Sequence, residues 1–376
     1  MQEEKLITLA TYTYSLRAYL TKQRLESEGV ECYITNENFT YGIHANLADG
    51  IELKVPEHDY EKAVAIMKLL SEELGEDKLK DTKLSIKKIL MPVDFSEQSR
   101  NACHFAIGLA DKFSAEVKLF HSFYIPTIEA MPMGETTIYP ITLDDHLHDI
   151  EINAKKRIHE LMNYLNEWKA KERLMNVRLS HTLSKGFAED EIIELYNVYQ
   201  PDIIVMGTGG DGDKLADIYG SITAEVVKNV RVPVLAIPKD TKYEGINKLK
   251  NILYTTNFDE SDFKAIHKLM YLVSPFDMKI HCIHIRAGNK DPWDNIKMDG
   301  LRENLKKEYI GKEVEIGIIE NEDIISGIDG YVRENNIDII SMTTHKRGFF
   351  ARLFKTSLTK QMLFHSKKPI LVFHSK

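Results

Sequence analysis

The sequence predicts two doubly wound, parallel-sheet α/β domains in tandem, preceded by a small α+β domain. Three observations carry that prediction. The chain has 376 residues, and a single domain typically takes ~150. Most of it repeats itself: "KKILMPVDFSEQ" (87–98) returns as "KNILYTTNFDES" (250–261), "DIIVMGTGG" (202–210) as "DIISMTTHK" (338–346), and "VPVLAIP" (232–238) as "KPILVFH" (368–374). Repetition of this kind marks a duplicated structural unit. Finally, short apolar runs such as Ile203-Ile204-Val205-Met206 alternate with amphipathic helical stretches, the pattern of a parallel sheet covered on both faces.

The elements follow in order. Residues 1–75 read as the small α+β domain. Leu6-Ile7-Thr8-Leu9-Ala10 is strand-like, 15–28 is helical with Gly29 as its stop, and Val30-Glu31-Cys32-Tyr33-Ile34 is a second strand. A third strand over 51–55 precedes a helix over about 58–70. Strand, helix, strand, strand, helix makes a small sheet with helices on one face. Residues 71–88 are charge-rich and lack aromatic side chains, which places a solvated linker at 76–86. The first α/β domain is expected over 87–240 and the second over 248–376. Their last strands, 232–237 and 369–373, would each leave an open edge in isolation, so the two copies are expected to pair there about a pseudo-twofold axis.

Composition excludes several classes. The formal net charge is −8 with 43% hydrophobic residues, so a general binder of nucleic-acid phosphates, which needs a surplus of Lys and Arg, is not expected. Cys32, Cys103 and Cys282 show no CxxC spacing, which argues against a disulfide framework or cysteine zinc site and fits a reducing compartment. No apolar run approaches the ~18 residues of a membrane span, and the first residues, MQEEKL, are acidic where a secretory signal would be basic. The expected address is the cytoplasm.

The chemistry concentrates in the first copy. Gly207-Thr208-Gly209-Gly210 directly follows an apolar strand, and Gly220-Ser221 opens a helix. Parallel sheets bind ligands at the carboxyl ends of their strands, where a helix N-terminus offers free N–H groups to an anion. Glycine lets the backbone itself approach phosphate oxygens. Ser221 adds a hydroxyl donor, and Asp94, in Pro92-Val93-Asp94 at the end of the first strand, can accept hydrogen bonds from a ribose hydroxyl or an adenine amine. The glycines also admit a purely structural reading as turns.

The pattern Gly-x2-Gly-x9-Gly-Ser after a strand, with Pro-x-Asp ending the first strand, resembles the ATP-binding class of universal stress proteins, whose domains have an adenine-nucleotide-hydrolase-like fold. That resemblance implies ATP or another adenine nucleotide as ligand. Gly207, Gly210, Gly220 and Ser221 would hold the phosphates and ribose, with Asp94 at the adenosine end. Pro92 and Ser122 would line the base, while Met206, Ile222 and Thr223 complete the pocket. It covers 87–238 strongly and 249–376 more weakly. In the N-terminal part, "RLESEGVECYI" and "GIELKVPEHDYEKAVAIM" resemble a family of small bacterial signal-transducing domains with a ferredoxin-like fold.

Departures from the pattern shape the expectations. Asp211, Asp213, Lys214 and Asp217 lie between the glycines, so either a divalent cation such as Mg or Mn screens the loop, with Asp211 and Asp213 as candidate contributors through the nucleotide phosphate and no other metal site, or the affinity for a triphosphate is modest. In the second copy Asp94 is replaced by Asn257, Pro92 by Thr255, Gly207 by Thr343, Gly210 by Lys346 and Gly220 by Thr356, so that copy is not expected to bind ATP. Gly207 to Gly212 also spells GxGxxG, but it does not open the first strand of a dinucleotide fold, and no Gly-Lys-Ser or Gly-Lys-Thr follows for a Walker A loop.

Other conspicuous residues read as structural. Asp144 to Asp149, with His146 and His148, is a solvated helix start, and His121 and His284 occupy equivalent strand positions. Lys346, Arg347, Arg352, Lys355, Lys360, Lys367 and Lys368, interleaved with Phe349, Phe350 and Phe354, form either a solvated helix whose aromatics enter the core or an interface or anionic-ligand site. No nucleophile sits beside a base in a known arrangement. The expected protein is a stress-response regulator or sensor that binds one adenine nucleotide in its first repeat. The competing readings are a slow, cation-dependent adenine nucleotide hydrolase and a nucleotide-free adaptor; a homo-oligomer or protein partner is compatible with each, and no nucleic acid or membrane is involved.

Overall fold

The computed structural model describes residues 6–12, 15–35, 51–74, 86–124, 141–208, 221–257, 260–288, 311–344 and 366–374, with isolated positions between 294 and 305. They fall into two compact units, one of residues 1–84, 256–264 and 280–327, the other of residues 85–255, 265–279 and 328–376.

The first unit contains β1 (Leu6–Tyr12), α1 (Ser15–Ser27), β2 (Tyr33–Thr35), β3 (Ile51–Pro56) and α2 (Tyr60–Leu74). β3 is central, antiparallel to both neighbours, in the order β1-β3-β2. Alternation decides its faces: Leu53 and Val55 are buried against Leu25, Val30, Cys32 and Ala63, while Glu52 and Lys54 pair at 2.9 Å on the other side. The expected second strand over 30–34 is shorter because Val30 belongs to the helix exit. Gly29 adopts φ +74°; its N–H reaches Glu26 O at 3.0 Å and the Val30 N–H reaches Leu25 O at 3.0 Å, which together close the helix with a Schellman motif. The same unit holds the parallel pair β10 (Lys279–Arg286) and β11 (Val314–Glu320).

The second unit begins with β4 (Lys88–Pro92), α3 (Glu97–Phe113), β5 (Glu116–Phe123), α4 (Ile141–Lys171), β6 (Arg178–Lys185), α5 (Ala188–Tyr199), β7 (Ile203–Gly207), α6 (Ser221–Asn229) and β8 (Val234–Ile237). From the second repeat it includes β9 (Asn251–Thr255), β12 (Ile339–Thr344) and β13 (Ile370–His374). α7 (Glu260–Val273) and α8 (Ile324–Glu334) are helices of that repeat. The strands run β9-β12-β13-β8-β7-β4-β5-β6. Ile89, Leu90, Met91, Ile203, Ile204, Val205, Leu253, Tyr254, Ile340 and Val372 are all buried, as strands covered on both faces require. Each such side chain contributes ~1.5–3 kcal/mol when fully buried.

Every neighbouring pair in this run is parallel except one. β8 and β13 meet antiparallel, with Val234, Leu235 and Ala236 opposite Val372, Leu371 and Ile370. The two last strands thus pair as expected, and β7 and β12, then β4 and β9, follow in mirrored order on either side. Around this seam Phe105, Leu109, Leu235, Ile252 and Leu371 leave only about 50 Å3 of free space.

The repeats also share a latch. Asp202 Oδ2 accepts the N–H groups of Lys87 and Lys88 at 2.7 and 2.9 Å, and Asp338 Oδ2 accepts those of Lys250 and Asn251 at 2.7 and 3.0 Å. The carboxylate before β7 or β12 therefore satisfies the backbone where β4 or β9 begins.

The connection between the repeats is clasped to α3. Asn101 Oδ1 accepts the Tyr243 N–H at 2.9 Å, its amide donates to Thr241 O, and the Thr241 hydroxyl donates to Lys367 O at 2.8 Å. Gly108 makes room for Tyr243, since a Cβ there would collide with the Tyr243 hydroxyl. Beside it His104 stacks on Trp168, centroids 4.1 Å apart, and burial pushes its pKa down to about 4.

The seam predicts that residues 85–240 alone, with the β8 edge uncovered, associate or aggregate, whereas 85–376 is one compact species; light scattering on both fragments checks this, and a monomeric, well-folded 85–240 would contradict it. The His104 environment fixes a sign. Between pH 6.5 and about 4 the unfolded chain binds a proton that the folded imidazole refuses, so stability falls as pH falls through that window. Denaturant midpoints at pH 7 and pH 5 should show a smaller drop in His104→Phe than in the natural chain.

Candidate functional site

In the order β8-β7-β4-β5-β6 the chain leaves β4 toward β5 and returns on the other side through β7, so the carboxyl ends of β4 and β7 flank a topological switch point. A cavity of about 220 Å3 opens there. Pro92, Asp94, Ser122, Met206, Gly207, Ile222 and Thr223 all line it. Gly210, Asp211, Asp213 and Gly220 lie outside the described residues; Ser221 is the first residue of α6.

Asp94 is oriented by the start of α3. Its Oδ1 accepts the Ser96 N–H at 3.0 Å and the Ser96 hydroxyl at 2.6 Å. Ser96, the N-cap, in turn accepts the Ser99 N–H at 3.1 Å, and the Asp94 N–H donates to Ser99 Oγ at 3.3 Å. The exposed carboxylate keeps Oδ2 without a partner among the described residues. Across the cavity the buried Thr223 hydroxyl donates to Gly207 O at 3.4 Å, tying α6 to the end of β7. The arrangement offers acceptors at Asp94, an apolar floor from Met206 and Ile222, and a helix N-terminus for an anion.

Sequence reasoning missed part of the lining: Val93, Ser99, Phe120, His121, Ala188 and Ile192. Ser99 was legible as the hydroxyl three residues after a cap. Repetition marks His121 as structural, and its Nδ1 lies 2.8 Å from Val93 O, as His284 Nδ1 lies 2.9 Å from Thr256 O. It nevertheless also lines the cavity. Burial holds the His121 pKa below the ordinary value, helped by Arg157 and opposed by the Val93 carbonyl and Asp94.

The second repeat is built differently at these positions. At the place of Gly207 stands Thr343, buried, its hydroxyl 2.8 Å from that of Tyr254. At the place of Ser99 stands Asp262, whose Oδ2 accepts the Asn257 N–H at 2.8 Å and the Thr256 hydroxyl at 2.9 Å. Asn257 stands at the place of Asp94, and the carboxylate nearby in the second copy, Asp262, is engaged by the backbone and hydroxyl groups of its own turn.

Cysteine chemistry is not supported. Cys32, Cys103 and Cys282 are buried; burial raises the Cys32 thiol to about 11 and pushes Cys103 and Cys282 higher still, with Asp94 adding to the effect on Cys103. Among the described residues no group of His, Cys, Asp and Glu is arranged to hold a metal ion, and no helix is long and apolar enough to cross a membrane. Asp144 to Asp149 lies within α4, with His148 and Asp149 exposed. Of the basic and aromatic cluster after β12, Lys367 and Lys368 are described, while Lys346, Arg347, Phe349, Phe350, Arg352, Phe354, Lys355 and Lys360 lie outside the described residues.

The family model of the universal stress proteins matches residues 85–238 and again 248–374. The chain belongs to the universal stress protein family. It is a tandem member, and residues 6–71 match a second family, described as a prokaryotic signal transducing protein. A universal stress protein of Synechocystis is 23% identical over 301 residues, covering 77% of this chain and 100% of that one. Another, from Methanocaldococcus jannaschii, is 28% identical over 157 residues, 42% of this chain and 84% of the relative. Among solved structures, a universal stress protein from Archaeoglobus fulgidus covers 78% of this chain and 98% of its own, with 17% identity and a TM-score of 0.53, a likeness of fold. In this tandem universal stress protein the last strands of the two matched segments pair at the seam, β7-β4 and β12-β9 follow in mirrored order on either side, and the cavity described above lies in the first segment.

Proposed function

We propose that the first repeat binds one adenine nucleotide, ATP foremost, and that the protein acts as a stress-response regulator or sensor through that occupancy. One observation carries the reading: a cavity at the switch point gathers Pro92, Asp94, Ser122, Met206, Gly207, Ile222 and Thr223, residues far apart in sequence, around a helix N-terminus. In this reading the base and ribose lie toward Asp94 and Ser122, with Met206 and Ile222 as apolar contacts. The phosphates lie toward the start of α6, where Gly207, Gly210, Gly220 and Ser221 supply backbone N–H and hydroxyl donors. Mg or Mn screens the phosphates against Asp211 and Asp213. Residues 6–71 act as the signalling module, and the second repeat, with Thr343 and Asn257, serves as the pairing partner of the first.

Calorimetric titration of the full chain with ATP should give one site per chain. Gly210→Arg should abolish binding by blocking the backbone approach, and Asp94→Ala should weaken it about tenfold, the size of a lost hydrogen bond to a charged group. Two equivalent sites, or none, would contradict the reading. Binding should also strengthen with Mg, and Asp211→Asn should reduce that dependence; cation-independent affinity would place these carboxylates away from the nucleotide.

A further inference from the structure

A larger cleft, about 530 Å3, adjoins the pocket in the first repeat, and His121 lines both. One wall is aromatic, formed by Phe95, His121 and Phe123; the other is α4, with Asp149, Asn153 and Arg157. Phe95 is a non-glycine residue at φ +66°, a conformation L side chains rarely adopt. That backbone sets its ring 4.3 Å from the His121 ring and 4.7 Å below the Arg157 guanidinium, measured to ring centroids. Arg157 is exposed. Beyond the Phe95 ring it has no hydrogen-bond or ion-pair partner among the described residues, whereas its neighbours Lys155 and Lys156 reach Glu151 and Glu160. Asp149 sits eight residues earlier on the helix, ~12 Å along its axis, so the cleft has separate basic and acidic ends. Because His121 Nδ1–H donates its hydrogen bond to the Val93 carbonyl, the neutral ring presents a lone pair at Nε2.

The second repeat does not reproduce this surface. At the place of Phe123 it has Arg286, 9% exposed and bonded through Nε to Asp294 at 2.9 Å. An ion pair there replaces an aromatic face.

We propose that the cleft is a second binding site, for an aromatic anion: a planar ring packed on Phe123 beside the Phe95–Arg157 stack, with its carboxylate, sulfonate or phosphate on the Arg157 guanidinium edge and a ring N–H or hydroxyl donated to His121 Nε2. The site is independent of the nucleotide reading, since none of these contacts requires an occupied pocket.

The test is a fluorescence titration of the full chain with 1-anilinonaphthalene-8-sulfonate and with N-phenyl-1-naphthylamine, the same ring system without the sulfonate. One sulfonate probe should bind per chain. Arg157→Gln should weaken it about tenfold and leave the uncharged analogue within about twofold, as loss of one charge-assisted contact implies; Arg157→Lys should recover part of the loss. Phe123→Arg, which installs the second repeat's residue, should weaken both probes. Arg157 is exposed, so its variants fold and keep the test decisive even if Phe123→Arg does not. Unchanged sulfonate affinity in Arg157→Gln overturns the proposal, as does a loss seen in Asp94→Ala but not in Arg157→Gln, which would put the probe in the nucleotide pocket.

Discussion

Backbone hydrogen bonding between β8 and β13 is the constraint on which the second unit depends. Each strand ends its own repeat, and each would otherwise expose a row of unpaired N–H and C=O groups beside fully buried apolar side chains. Antiparallel pairing is what a pseudo-twofold axis produces from two copies of a parallel sheet, and it carries the order outward through β7 and β12 to β4 and β9. The Asn101, Thr241 and Tyr243 clasp then fixes the connection between copies against α3, so the duplicated chain holds its own partner at a high effective concentration.

The two copies agree where the fold is closed and differ at the ends of their strands. Both repeats keep the features that close the fold: an aspartate latch at Asp202 or Asp338 and a histidine on the backbone at His121 or His284. They part at the carboxyl ends of the strands. The first copy leaves an exposed Asp94 oxygen and a glycine facing the cavity, whereas the second ties Thr343 to Tyr254 and commits Asp262 to Asn257 and Thr256. Polar groups satisfied by one another have little left to offer a ligand.

Much of this was legible in the sequence because it rests on local chemistry. The echo of "DIIVMG" in "DIISMT" marked equivalent strands, and the apolar last strands implied the seam. Asp94 was legible as an acceptor because it stands at the end of the first strand of its copy. What escaped depends on three-dimensional neighbours. Nothing in "VDFSEQ" says that Phe95 turns left-handed and lies beneath Arg157, a residue 62 positions away from it in the numbering. Nor does a lone tyrosine in the inter-repeat segment announce that Gly108 accommodates it. His121 was read by its repetition as structural, and the same ring turned out to line two cavities, since a strand-end side chain can serve the backbone with one nitrogen and face solvent with the other.

The central claim is that a symmetric pair of repeats carries an asymmetric nucleotide site. Photolabelling of the intact chain with 8-azido-ATP, followed by mass-spectrometric mapping of the modified peptides, tests it most directly. The account predicts label in the first repeat, on peptides containing Asp94, Ser122 or Ile222, blocked by excess ATP, with none on the peptides containing Asn257 or Thr343. ATP-protected label on the second repeat, or equal label on both, would contradict it.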